Sequence, residues 1–195
     1  MNLQRIVNFS SGVITLATVV ALGTIAYAGA TAKQEERALQ AQIQQEVDRA
    51  VQVAAENQAR QEQQHCLALN IYHEARSEST TGKRAVAWVT LNRVQSQRYP
   101  DTICDVVYQA HLDSNGNPKR NQCQFSWFCD GKSDSIKNTT EWERSLALAN
   151  MVMNNYGKNP DPTDGATMYH ATYVNPVWRK DYTRTVRIDE HIFYR

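Results

Sequence analysis

Apolar positions along residues 65–195 fall first into helical and later into alternating patterns. In the stretch from His65 to Glu78, Leu67 and Ile71 lie four apart, and Glu74 and Glu78 continue the same line. The spacing predicts a helix whose core-facing stripe runs into two carboxyls. Ser79-Thr80-Thr81-Gly82 interrupts the pattern, and a second helix is predicted from about Lys83 to Arg98, ending before Pro100. Its Ala85, Val86, Val89, Leu91 and Val94 occupy more than one face, so this helix is expected to be central and buried, with Trp88 filling volume beside it. Asp101 or Thr102 can cap a short third helix through Ile103, Val106, Val107 and Tyr108. Residues 111–122 read as a polar loop. The capping box Thr140-Glu141-Trp142-Glu143 opens a fourth helix that runs on to Tyr156, with Gly157 past its end. The period then shortens to two, and residues 167–170, 183–188 and 191–194 are predicted strands. Helices followed by a small antiparallel sheet near the C-terminus make the expected class α+β and mainly helical.

The chain before His65 has a different texture. No charged residue occurs between Arg5 and Lys33, and the run from Val13 to Ala30 is dominated by Val, Ile, Leu, Ala and Gly. Residues 1–32 therefore read as a membrane anchor or as a cleaved signal segment; Ala26-Tyr27-Ala28 and Ala30-Thr31-Ala32 have the small-x-small form of a cleavage site. Either reading exports the rest of the chain, leaving it at the inner membrane facing the wall or secreted. Residues 33–64 are rich in Gln, Glu and Ala, contain neither Pro nor Gly, and predict a polar helical stalk. Leu39, Ile43, Val47, Ala50 and Ala54 could support weak self-association through a short coiled coil, but a stripe that is half alanine fits a solvated spacer better.

Charge narrows the partners. Residues 65–195 hold sixteen basic and fourteen acidic side chains, too balanced for a nucleic-acid footprint. The four cysteines, Cys66, Cys104, Cys123 and Cys129, all follow the apolar segment, so disulfides are expected. A small loop closed by Cys123 and Cys129 leaves Cys66 to pair with Cys104. No CxxC pair occurs, and the sequence calls for neither metal nor cofactor.

Three chemistries compete for these residues. His73-Glu74 opens like a zincin helix, but Ser77 stands where the second histidine is needed; His73, His170 and His191 would have to converge from separate elements, as in a zinc amidase. A Cys66 nucleophile would require that thiol to be free and served by His170 or His191. The third chemistry is glycosidic cleavage by a carboxyl desolvated on a helix. Burial disfavours the ionised form and raises the pKa, as a general acid near neutral pH requires. Glu74 is the candidate; the bland alternative is a glutamate at a helix end in water. The aromatic run Gln124-Phe125-Ser126-Trp127-Phe128 reads equally as core or as an exposed platform for a sugar ring.

Resemblance breaks the tie. The string from Cys66 to Glu78, then Gly82, Ala85-Val86-Ala87 and Leu91-Asn92-Arg93-Val94, resembles the opening of the spore-cortex-lytic family of bacterial and phage cell-wall hydrolases. The likeness continues through Pro100–Cys104, Val106–Gln109, Gln124–Trp127, Asp161-Pro162-Thr163 with Gly165-Ala166, Tyr169-His170-Ala171, Val174-Asn175-Pro176 with Trp178, and His191–Tyr194, covering residues 65–195. It implies a lysozyme-like or lytic-transglycosylase-like domain that cleaves the glycan strand of peptidoglycan without a cofactor. The family's catalytic glutamate falls on Glu74. In the transglycosylase form it protonates the oxygen after N-acetylmuramic acid, then takes the proton of that sugar's C6 hydroxyl to leave a 1,6-anhydro end. Glu78 falls on the second family glutamate, a supporting carboxylate, and Ser77 replaces the usual glycine before it. Gln124, Ser126 and Trp127 are expected to line the cleft, with Tyr169 and His170 facing Glu74 from the sheet and His191 buried without a ligand role. A zinc amidase and a non-catalytic peptidoglycan-binding module remain the alternatives.

Overall fold

The computed structural model describes residues 3–195, with side chains from residue 18 onward except that of Ala26. The chain divides into two compact units, Met1–Glu56 and Asn57–Arg195. Helix α1 spans Leu3–Ala75. Between residues 33 and 64 it has no helix breaker, and the i,i+4 pairs Gln44–Asp48 (2.8 Å), Gln52–Glu56 (3.0 Å) and Gln58–Glu62 (3.2 Å) brace its surface. Leu39, Ile43 and Val47 are all exposed there. No helix among the described residues is long and apolar enough to cross a membrane. The first half of the expected anchor or signal segment falls outside the described side chains.

In the second unit the chain runs from the end of α1 through α2 (Thr80–Val94), α3 (Ile103–Val107), the hairpin β1–β2 (Ala110–Leu112 and Pro118–Cys123), a 3-10 turn (Ser126–Cys129) and α4 (Thr139–Asn155). Strands β3 (Met168–Ala171), β4 (Arg184–Ile188) and β5 (His191–Tyr194) follow, with a second 3-10 turn at Val177–Asp181. The sheet is antiparallel in the order β3-β5-β4, and Tyr169 stands opposite Phe193. The class is α+β, as the change of period predicts.

Helix α2 is the central element. One side packs with Leu67, Ile71, Val106, Val107, Phe125, Leu148 and Val152; the other places Ala85 and Val89 against Ala166 and Phe193. Each fully buried Leu, Ile, Val or Phe contributes roughly 1.5–3 kcal/mol, so this two-sided burial carries much of the fold. Asn70 and Thr90 are among the polar residues that enter the core, and they satisfy each other there. Asn70 donates to Thr90 Oγ1 (3.1 Å) and accepts from Trp127 Nε1 (3.1 Å).

Several boundaries depart from the pattern-based expectation. Helix α1 stops at Ala75, where Glu78 N–H turns back to the Ala75 carbonyl (2.9 Å), so Glu78 lies beyond the helix and not on its apolar stripe. Helix α2 begins earlier than expected, because Ser79 caps it by accepting from Gly82 N–H (3.2 Å). Gly82 is therefore helical and not a breaker: a Cβ there would run into the Asp189 carboxylate and the Glu78 side chain. Helix α2 also ends at Val94, short of Arg98, and α4 is capped by Asn138, which accepts from Glu141 N–H (3.0 Å), in place of the expected Thr140.

The predicted loop at 111–122 contains a hairpin. Its strands are short and exposed except at Ala110 and Cys123, so no alternation betrays them. Asp113 Oδ1 holds the turn by accepting from Asn115 and Asn117 N–H, and Gly116 adopts φ +82°. Both disulfides join the expected partners. Cys66–Cys104 ties α1 to α3, and Cys123–Cys129 closes the hairpin onto the first 3-10 turn.

Candidate active site

Glu74 stands in the last turn of α1, one residue past His73 and directly above the buried Ile71 turn. Tyr169 reaches it from β3, donating its hydroxyl to Glu74 Oε2 at 3.0 Å. Burial pushes the Glu74 carboxyl above the usual carboxylate range, while the Tyr169 hydrogen bond and the Arg93 guanidinium oppose that shift. The unsatisfied carbonyls at a helix C-terminus also disfavour negative charge there. Burial and the neighbouring carboxylate hold the Tyr169 phenol well above its ordinary value, so it remains a donor.

Arg93 lies in the interior behind the acid, off the cavity wall. It projects from α2 into the interior at only 3% exposure, donates Nε–H to the Thr167 carbonyl (2.7 Å) and lies over the rings of Phe125 (4.9 Å) and Tyr99 (5.4 Å). Its neighbour Asn92 donates to Asp161 (2.8 Å) and to the Ala166 carbonyl (3.0 Å) and accepts from Tyr156 (2.9 Å). This network fixes the turn that leads into β3 and so sets where Tyr169 meets Glu74.

The acid opens into a cavity of about 860 Å³. Ser126, Trp127, Tyr169 and His170 line it. Trp127, however, is not an exposed platform. Its indole is buried, bonded to Asn70, and covered by the His73 ring, which stacks on it at 4.5 Å and 17°. Gln124 does not line this cavity; with its amide oxygen turned inward it accepts from Arg93 Nη2 at 3.1 Å. Glu78 is also absent from the wall and accepts from Glu190 N–H (3.2 Å) in the β4–β5 turn.

His73, His170 and His191 all reach the cavity. His170 nevertheless commits both ring nitrogens, one to the Ala171 carbonyl (2.8 Å) and the other to the Tyr194 hydroxyl (2.9 Å). Among the described residues, no three His, Cys, Asp or Glu side chains group to hold a metal. Burial lowers the pKa of both His73 and His191, against nearby acidic groups that raise it. His73 Nε2 and His191 Nδ1 have no protein partner, and His191 meets the Tyr169 ring edge-on at 5.1 Å. Cys66, in a disulfide, offers no nucleophile.

Arg93 and Tyr72 were missed as site residues. Arg93 had a legible signal, since a charged side chain on a helix apolar on most faces must be paired in the interior. Tyr72 had none. Its hydroxyl accepts from Lys137 and Asn138 N–H (3.1 and 3.0 Å), anchoring the outer rim at 130–138 that faces the sheet across the cavity.

The chain belongs to the cell wall hydrolase family, whose model matches residues 77–194. That match opens just after Glu74. The spore cortex-lytic enzyme of Halalkalibacterium halodurans is 28% identical over 128 residues, 65% of this chain and 33% of the relative. The chain thus spans about a third of the length of that curated relative. The catalytic domain of the germination-specific lytic transglycosylase SleB from Bacillus anthracis superposes with a TM-score of 0.50 at 26% identity, covering 68% of this chain and 93% of that one. For the Bacillus cereus SleB catalytic domain the TM-score is 0.48 at 26% identity, with 69% and 91% covered.

Proposed function

We propose that this chain cleaves the glycan strand of peptidoglycan between N-acetylmuramic acid and N-acetylglucosamine, with Glu74 as acid and then base. One observation carries the reading. A single partly buried carboxyl, raised in pKa and held by a tyrosine, opens into a large cleft, while the other glutamate of the motif is bonded to a backbone amide elsewhere. One-carboxylate chemistry suits a lytic transglycosylase. Protonated Glu74 gives its proton to the bridging oxygen as that bond breaks; the carboxylate then accepts the C6 hydroxyl proton while the C6 oxygen closes on C1. No water enters, and the residue ends protonated as it began.

A muramidase needs a second carboxylate for water or for the sugar. Here it would have to recruit Asp130 or Asp134 from the rim. Mass analysis of a peptidoglycan digest separates the two: 1,6-anhydro ends, lighter by one water, are expected, and hydrated reducing ends would overturn the transglycosylase step. Peptide release abolished by a chelator would instead point to an amidase, and binding without new ends to a non-catalytic module.

Tyr169 acts as a positioning residue. Its hydrogen bond favours the ionised form of Glu74, so Tyr169→Phe should raise the carboxyl pKa further and move the limb of the kcat/KM profile that reports it to higher pH. The rate should fall about tenfold, the worth of one charge-assisted hydrogen bond of roughly 1.4 kcal/mol. An unmoved limb would show that the hydroxyl does not tune the acid.

The site of action is outside the cytoplasmic membrane, where peptidoglycan lies and where two disulfides persist. Residues 1–32 serve as anchor or export segment, and residues 33–64 as the spacer between that segment and the catalytic unit.

A further inference from the structure

A second cavity, of about 360 Å³, adjoins the acid site and shares His170 and Tyr173 with it. His170 forms a fixed partition. Both its nitrogens are bonded, its ring stacks on Tyr194 at 5.3 Å, and Trp178 meets it edge-on at 5.6 Å. Tyr173 is exposed at the common mouth.

The side cavity differs from the acid site in charge. Arg179 and Arg184 line it, and no Asp or Glu does. Two other arginines of this region are paired, Arg187 with Glu190 and Arg195 with Asp164, and Lys180 lies off the cavity wall. Arg179 and Arg184 make no ion pair or side-chain hydrogen bond among the described residues. Their nearest sequence acid, Asp181, is exposed and off the wall, and Glu190 is engaged by Thr172 Oγ1 at 2.6 Å. Two unpaired guanidiniums in a concave wall, with the Tyr182 ring and the Asn175 amide beside them, match a carboxylate ligand held bidentately.

Resting on the glycan-cleavage reading, we propose that this cavity binds the carboxylates of the peptide stem carried by the muramic acid in the adjoining cleft. In the wall polymer the amide-linked sugars are neutral, and the stem's free carboxylates are the anions tethered closest to the bond being cut. Arg179 and Arg184 would therefore make the enzyme prefer strands with charged peptide stems over strands whose stem carboxylates are blocked.

The test compares the full chain with an Arg179→Ala/Arg184→Ala variant on intact peptidoglycan and on the same strands stripped of stem charge by coupling their carboxylates to methylamine, since amidase removal of the peptides would free the lactyl carboxylate of each muramic acid. The variant should lose about tenfold in kcat/KM on intact strands, mainly through KM, and less than twofold on stripped strands, tenfold being the worth of roughly 1.4 kcal/mol. Equal losses on both substrates, or no loss on either, would overturn the proposal. Cleavage of stripped strands reports the Glu74 reading separately. A binding arm works without turnover: in a Glu74→Gln background, co-sedimentation with intact sacculi should weaken when the arginines are removed, and sedimentation with stripped sacculi should not. If instead that arginine-dependent binding disappears when wall phosphate polymers are removed and the peptides left, the ligand is phosphate and the stem assignment fails.

Discussion

Glu74→Gln should lower the rate of glycan cleavage by roughly 10²- to 10⁴-fold, the range a positioned general acid and base contributes. Gln keeps the size of the side chain and an acceptor for the Tyr169 hydroxyl, so folding and both disulfides should survive. What it loses is the transferable proton. Retention of most activity on purified peptidoglycan would remove Glu74 from the mechanism. The same variant has a second signature, in stability. The folded carboxyl titrates above its ordinary value of 4.5, chiefly because burial penalises the charge. Below that ordinary value the group is protonated in both folded and unfolded chains and favours neither mutant nor wild type. As pH rises, the unfolded chain ionises freely while the folded one resists, so the wild type loses stability up to the folded pKa. Gln feels none of this. Thermal melts at pH 4 and pH 7 should therefore show the variant gaining on the wild type at the higher pH; a wild type relatively more stable at pH 7 would contradict the burial argument.

Replacing Cys66 and Cys104 together by Ser should destabilise the catalytic unit by about 4 kcal/mol, the chain-entropy value for a bridge spanning 38 positions. The bridge has further support around it: Gln63 Oε1 accepts from Cys104 N–H (3.0 Å), and Gln64 Nε2 donates to the Leu146 carbonyl (3.1 Å). These contacts fasten the turns of α1 that precede the acid. Denaturant unfolding of oxidised, reduced and double-Ser protein measures the effect. The double-Ser protein keeps Cys123–Cys129 and should fall between the oxidised and the fully reduced wild type; a loss below about 1 kcal/mol in the double-Ser protein would mean that packing of Leu67 and Ile71 alone holds α1 in place.

The parts of this molecule that were legible in its sequence are those where burial writes a period. The central α2 announced itself through Val86, Val89 and Leu91, and the three C-terminal strands through their alternation. Glu74 stood out because a carboxyl had followed Leu67 and Ile71 onto an apolar stripe. Features held by polar groups left no such trace. The β1–β2 hairpin depends on Asp113 and backbone ladders, and the α1–α2 turn on Glu78, Ser79 and Asp189, with Ser79 and Asp189 110 positions apart. Trp127 was ambiguous for a related reason: only the His73 ring lying over it, and Asn70 beneath, decide that it is a wall and not a platform.

Arg93 has a consequence for the charge balance of a turnover. In the proposed mechanism, protonated Glu74 leaves buried Arg93 as one positive charge behind it; once the proton has gone to the leaving sugar, the pair is neutral. The counter-charge is present before the reaction begins and is not drawn from solution. Screening acts on exposed charges over about 8 Å at physiological ionic strength and reaches buried ones poorly. On the proposed mechanism the proton-transfer step is thereby insulated from the shifting salt content of a polyanionic wall, and sensitivity to ionic strength is left to whatever binds the polymer at the surface.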